Sequence, residues 1–459
     1  MNKKMASRSN GPIPESSQGV SWGQFTLRIP LIHTRLEWPE FIQGLAITLS
    51  TSMALTPLLM SAFGLTFEEA VTVSLIHYLL VSSSPILFGE PFAGGWITPA
   101  LPLALAYILG SYDDPTTRFQ AMTALSIDLA LILFVLGITG AGNRIMHWMP
   151  EPLKAGIILG AGLAAIQRVF VDDIDKYMNT PIATSAAIVI CLLLAFSSPI
   201  TKLKTRSSVI RILATYGLLP GFLIAGIVGF LTQEIQYEIS WGVLNPPFMS
   251  LWEKTSPFFI GWPSTEMFVS GLPLAFVAYI LVFGDMITGT ELIKEANSKR
   301  PDEIIDLNSN RTHLSLSIRN FVMSIVSPFF PSQGCLWTGV QVVIINRWKE
   351  GPSKMQSLYS GISSYYVCGL PLLMLFYPWI TLLKPLLPIA LTLTLVLTGI
   401  ACASVAMSKP RSSYENGAVF LSAIALATFS PAIGLTLAVA ITLLLTGWSE
   451  RSESKTESS

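Results

Sequence analysis

Apolar runs of about twenty residues recur from Leu45 to Trp448, separated by short polar turns. A bilayer's hydrocarbon core is ~30 Å thick and takes ~20 helical residues to cross. Backbone polar groups find no water there, so only helices and closed barrels span it. The alternating ~10-residue strands of a membrane barrel are absent from this chain. Charged residues are 12% of the chain, about half the ~25% of a soluble domain. The class that follows is an all-α polytopic membrane protein. A net charge of zero gives no reason to expect nucleic acid as a partner.

Fourteen apolar segments are read at 41–63, 69–88, 96–109, 119–141, 152–167, 182–200, 208–231, 267–290, 313–330, 335–346, 356–377, 386–407, 417–429 and 431–448. The distribution of Lys and Arg orients them. With the N-terminus in the cytoplasm and every segment crossing, only Arg118, Arg168, Lys176, Lys254 and Lys384 of the 28 basic residues fall outside. Both termini are therefore expected in the cytoplasm. Residues 1–40 form a cytoplasmic N-terminal region without a signal-peptide pattern, and 449–459 a polar cytoplasmic tail. The loop 232–264 falls outside. Its Trp241, Trp252 and Trp262 suit a segment lying in the headgroup zone. The four cysteines, Cys191, Cys335, Cys368 and Cys402, lack ligand spacing and read as small core residues, with no metal site.

Two segments are interrupted. "SPILFGEPFAGGWITPALPLALAYILG", Ser84–Gly110, leaves only Ile97–Leu109 for helix, and thirteen residues reach about 20 Å. "SIVSPFFPSQGCLWTGVQVVIIN", Ser324–Asn346, is built alike, with a half-helix expected over Cys335–Asn346. Ser84-Pro85 matches Ser327-Pro328 at an offset of 243, Pro91 matches Pro331 at 240, and Trp96 matches Trp337 at 241. Pro150 matches Pro388 at 238. Such offsets indicate a duplicated unit of seven segments: 41–231 and 265–448. Seven is odd, so the second copy inserts inverted, as in many secondary transporters. Each broken stretch then enters as a short strand and finishes as a half-helix. The two helix N-termini meet with free N–H groups and partial positive charge. Such irregular backbone is tolerated at that depth only where it lines a cavity or is buried in protein.

The chain resembles the fourteen-segment 7+7 inverted-repeat transporters: nucleobase–ascorbate transporters (uracil and xanthine permeases), sulfate permeases and bicarbonate/borate anion exchangers. "LAITLSTSMALTPLLMSAFGLTFEEAVTVS" is similar to the first segment and following loop of the nucleobase–ascorbate branch. "FVAYILVFGDMITGTELIKEAN" resembles its segment eight, whose acidic residue faces the substrate. "DLNSNRTHLSLSIRNFVMSIVSPFFPSQG" resembles the loop, segment nine and strand ten. Two departures bear on the substrate. The nucleobase branch carries a second acid at the start of half-helix ten, where this chain reads "SQGCLWTGVQ" with Gln333 and Thr338. Sulfate permeases carry a soluble domain after the last segment, and here only residues 449–459 follow. The resemblance implies a core domain of 41–141 plus 265–377 moving against a gate domain of 152–231 plus 386–448.

Candidate site residues follow from both lines. Asp285 lies inside an apolar run, where an ionised carboxylate costs a few kcal/mol unless it faces a cavity, partner or proton. It is expected to bind the substrate and a coupling H+ or Na+; the structural alternative is a helix cap or a pair with Arg319. The half-helix starts contribute Gly95, Trp96, Ile97, Thr98, Gly334, Cys335, Trp337 and Thr338, with glycines where the ligand approaches the backbone. Trp96 and Trp337 either stack on a flat substrate or fill space. Asp128, Glu90 and His77 are read first as structural: a carboxylate paired within the core, a loop anchor and a hydrogen-bonded core histidine. Ser50, Thr51 and Ser52 satisfy local carbonyls or line the site. No phosphate-binding loop or hydrolase motif stands in a suitable context, so neither an enzyme nor an ATP-driven pump is expected.

The function expected is a secondary active transporter in the plasma (inner) membrane, without a cofactor. It would carry a nucleobase-like weak acid coupled to H+ or Na+. The alternatives are a permease or exchanger for inorganic or carboxylate anions, and an ion channel of the same fold. A homodimer is compatible with this group.

Overall fold

The computed structural model describes residues 19–447, except 143, 145–147, 208, 211–212, 214–218, 368–372 and 409. The expected polar tails, Cys368 and the entry into segment seven lie outside the described residues, as do the side chains of Ser50 and Thr51.

Proline and capping residues punctuate the apolar sequence. The segment expected over 41–63 is two helices, α1 (Trp38–Ser52) and α2 (Thr56–Phe63). Pro57 at the start of α2 has no N–H and would clash with the preceding turn, so the helix restarts there. Gly64, at φ +67°, ends α2 in the left-handed conformation. Thr66 and Glu69 then form a reciprocal capping box that starts α3 (Phe67–Leu87). Pro85 sits inside α3 and does not open an extended stretch. Half-helix α4 (Ala100–Ser111) is followed by α5 (Pro115–Thr139), which Asp114 caps through the N–H of Thr117 at 3.1 Å.

The next segments are α6 (Glu151–Gln167), α7 (Pro181–Phe196), α8 (Ser198–Arg206) and α9 (Leu219–Leu231). The expected span 182–200 bends by 66° at the α7–α8 junction, where Pro199 interrupts the ladder. In the loop 232–264, α10 (Phe248–Thr255) docks on the start of α3: Ser250 donates to Glu69 at 2.6 Å and Lys254 at 2.8 Å. Trp241 and Trp262 of the same loop stay exposed.

The second half comprises α11 (Thr265–Asn297), α12 (Ser309–Val326), half-helix α13 (Thr338–Trp348), α14 (Leu358–Val367), α15 (Leu387–Met407), α16 (Ser413–Thr428) and α17 (Pro431–Thr446). Side chains of Ser264, Asn308 and Ser412 cap α11, α12 and α16. α5 packs on α11 and α12, and α1 on α14; α6 packs on α15 and α16, and α7 on α9. Small residues permit the closest approach: a Cβ on Gly160 of α6 would stand 2.9 Å from Leu426 Cβ of α16. The segment before α1 is tied to α3 and α14. Arg28 donates to the Gly89 carbonyl at 3.0 Å and lies over the Tyr359 ring, while the N–H of Glu37 bonds Ser364 Oγ at 2.8 Å.

Candidate substrate site

The two interrupted stretches, 89–97 and 327–337, are buried along their length except at Trp96 and Trp337. They run antiparallel and exchange backbone hydrogen bonds: Trp337 N to Ala93 O at 2.6 Å, Gly334 N to Gly95 O at 2.6 Å, and Ile97 N to Pro331 O at 2.9 Å. These extended stretches stand where strands were expected, without forming a regular ladder. Side chains complete the pairing. Gln341 accepts from Ala93 N at 2.6 Å and donates to Pro91 O at 3.1 Å. Gln333 donates to His77 O at 3.3 Å, and Tyr366 to Gly94 O at 2.5 Å. Backbone groups that would cost several kcal/mol each if left bare in hydrocarbon are thereby paired.

Both half-helices begin three residues later than their sequence suggested, at Ala100 and Thr338. Pro99 holds the N-cap of α4, and a tight turn commits Ala100 N to Ile97 O at 2.9 Å and Leu101 N to Thr98 O at 3.2 Å. Trp337 N belongs to the extended pairing, so α13 starts only after it. Neither start has a side-chain cap.

The two N-termini are not equivalent donors, contrary to expectation. In α4 the first N–H groups are spent in the turn, and Pro99 and Pro102 have none. In α13 the N–H groups of Thr338 and Gly339 find no acceptor among the described residues, the first bond being Gln341 N to Trp337 O. Both helices still direct a dipole to the same place.

That place is a cavity of about 670 Å³, whose walls come from α3, both half-helix starts, α11, α6, α7 and α15. Of the sequence-selected residues, Asp285, Gly95, Trp96, Thr98, Trp337 and Thr338 line it, as does Ser52. Ile97 and Cys335 do not; they pack behind the wall at 0% and 1% exposure. Gly334 does not line it either. A Cβ there would stand 2.8 Å from Gly95 O and 2.9 Å from the Trp96 carbonyl carbon. The glycine is needed where two backbones touch, not where a ligand enters. Gly95 likewise faces Trp337, whose Cβ would lie 2.9 Å from an added Cβ.

The carboxylate of Asp285 accepts no hydrogen bond among the described residues and faces the cavity. Arg319, its suggested partner, instead donates to Gly334 O at 3.1 Å and Gln333 Oε1 at 3.4 Å. This guanidinium is 2% exposed and its Nε is unpaired, so a positive charge sits directly behind the crossing. His77 lines the cavity while its Nε2 bonds Ser327 O at 2.7 Å. Glu90 is a buried anchor: Arg311 donates to it at 3.2 Å and Thr312 at 2.6 Å. Asp128 faces Gly271 of α11, away from the cavity, with Oδ2 unpaired. The described cysteines are buried, and Cys402 also lines the cavity.

Sequence reasoning overlooked part of the wall. Ser74, His77, Tyr78 and Val81 line the cavity at positions i, i+3, i+4 and i+7, one face of a helix. Thr394, Thr398, Cys402 and Val405 line it from one face of α15, at i, i+4, i+8 and i+11. Both stripes are written in the sequence as helical spacing. Glu151 and Lys154 of α6, paired at 3.0 Å, also line it.

No protein-family model matches the chain, and no curated protein matches it. Solved structures do. The transmembrane domain of the cyanobacterial bicarbonate transporter BicA aligns with a TM-score of 0.53 at 14% identity, over 88% of this chain and 97% of that one. SLC26A9 aligns at 0.54 and 15%, over 89% of this chain and 65% of that one. The murine SLC26A9 anion transporter in its inward-facing state aligns at 0.53 and 15%, over 89% and 67%. At such identities the likeness carries the fold. These neighbours lie on the anion-transporter side of the resemblance and give the nucleobase branch no support. The chain is an integral multi-pass membrane protein with the 7+7 inverted-repeat fold.

Proposed function

We propose that the chain is a secondary active transporter of anions. One observation carries the reading: two buried, crossed stretches deliver two uncapped half-helix starts, with Thr98 and Thr338 at equivalent repeat positions, into a single cavity faced by Asp285. A helix N-terminus favours an anion through its free N–H groups and its dipole. The Thr338 and Gly339 N–H groups and the two threonine hydroxyls would hold the anion, with the Arg319 charge behind them. An unpaired carboxylate beside an anion site needs a counter-charge. Asp285 is therefore assigned the coupling H+ or Na+, which would neutralise it as the anion binds. That the solved neighbours include a bicarbonate transporter and an anion transporter supports an anion over a nucleobase.

Movement would carry the crossing, with α1–α5 and α11–α14, past a gate of α6–α9 and α15–α17. In the orientation set by the basic loops, Glu151, Thr288 and Val405 lie toward the cytoplasmic ends of their helices. The cavity they share with the crossing would then be the inward-facing site, in a plasma-membrane protein with both termini in the cytoplasm. The test is uptake by purified protein in liposomes under an imposed proton or sodium gradient. Saturable accumulation of an anion above its equilibrium level supports the reading. Purely dissipative flux, or none for any anion, refutes it.

A further inference from the structure

The wall around the crossing is mostly apolar, and two of its residues are tryptophans. Trp96 and Trp337 flank the half-helix starts and line the cavity. Neither indole stacks on another aromatic ring, and neither indole N–H has an acceptor, among the described residues. Two large, partly buried aromatic side chains thus border the cavity beside the anion donors. Val81, Ile158, Phe196, Ile280 and Leu397 form much of the remaining surface.

This surface is ill-suited to a bare inorganic ion. An ion stripped of water needs polar partners all round it, whereas away from the crossing the polar groups, among them Ser74, Lys154, Thr394 and Thr398, lie on separate helices within a largely apolar wall. The volume, about 670 Å³, lies within the ~300–1,000 Å³ typical of sites for organic ligands, which pair apolar walls with a few convergent polar groups. Resting on the anion-transport reading above, we infer that the substrate class is an aromatic monocarboxylate. Its carboxylate would sit at Thr98, Thr338 and the α13 N-terminus, and its ring against Trp96 and Trp337. Aromatic rings favour offset-stacked or edge-to-face contact, and the bound ring would find such partners in both indoles.

The experiment is equilibrium binding of radiolabelled benzoate to the full chain in lipid nanodiscs, competed by acetate, bicarbonate, sulfate and unlabelled benzoate. Benzoate is expected to bind at least about tenfold more tightly than acetate, the size expected of one stacked ring. Trp96→Ala and Trp337→Ala should each remove most of that preference, weakening benzoate by a much larger factor than acetate. Trp96→Phe should restore it in part, which a merely space-filling indole would not require. If bicarbonate or sulfate binds and benzoate does no better than acetate, the inference is wrong and the anion reading stands. If the tryptophan variants weaken acetate and benzoate equally, the inference is likewise wrong. If no anion binds, the anion reading itself fails.

Discussion

Gly334 donates its backbone N–H to the carbonyl oxygen of Gly95 at 2.6 Å, and a side chain on Gly334 would strike that same carbonyl. The two halves of the duplication meet at this point, backbone against backbone. Gly334→Ala should therefore break the crossing itself. We expect a lower melting temperature together with lost anion binding, because overpacking against backbone costs on the order of 1–3 kcal/mol.

Gly339→Ala is the complementary case. A Cβ there meets only Trp337 Nε1, at 3.9 Å, and otherwise enters the cavity. Its position in the first turn of α13 accepts alanine readily. Melting in nanodiscs should be unchanged or slightly higher, while anion affinity falls because the methyl takes up ligand space. A fall in melting temperature as large as that of Gly334→Ala would contradict this placement.

Asp285→Asn should leave the fold intact, since the carboxylate holds no partner that would be orphaned. Uptake in liposomes should persist only as exchange, with dependence on proton or sodium gradients lost. Retained gradient-driven accumulation would remove Asp285 from the coupling role.

Arg300, fully buried between α11 and α12, ties three backbone carbonyls: Trp348 at 2.8 Å, Met355 at 3.1 Å and Gln356 at 2.9 Å. Glu303 accepts from Trp348 Nε1 at 2.7 Å and Ser357 Oγ at 2.5 Å beside it. Glu303→Ala should cost on the order of 1–3 kcal/mol by leaving the buried Trp348 Nε1, Ser357 Oγ and Leu358 N donors unsatisfied. The hydrogen bonds from Arg300 hold the Asp302 carboxyl below its usual range. A depressed carboxyl adds stability above its unfolded value, near 4, that fades as pH falls through the lowered one. Thermal melting followed from pH 7 down to about 3 should show this acid loss, reduced in Asp302→Asn.

The architecture was legible because its signals are local and repeated. Apolar runs, basic loops and matched prolines need no knowledge of contacts, and they led to fourteen segments and two crossed stretches. Boundaries failed where backbone pairing overrides local preference. Cys335 to Trp337 read as the start of a helix but are held extended by Ala93 and Gly95 across the crossing. The same long-range pairing explains why Gly334 and Cys335 were taken for ligand contacts. Gln333 and Gln341 were invisible as organisers, because their partners lie about 250 residues away, at His77 and Pro91. The stripe Ser74, His77, Tyr78 and Val81 was readable, but only once a cavity gave its polar members a purpose.

Thr338 is the first residue of α13, where proline is tolerated because the N–H has no helical partner. Thr338→Pro therefore deletes one proposed anion donor and one hydroxyl while keeping the helix. The decisive measurement is anion binding to this variant in nanodiscs, read beside its melting temperature. Affinity is predicted to fall by about tenfold or more, equivalent to about 1.4 kcal/mol or more, with melting unchanged. Undiminished affinity in a folded Thr338→Pro protein would contradict an anion site at the crossed half-helices.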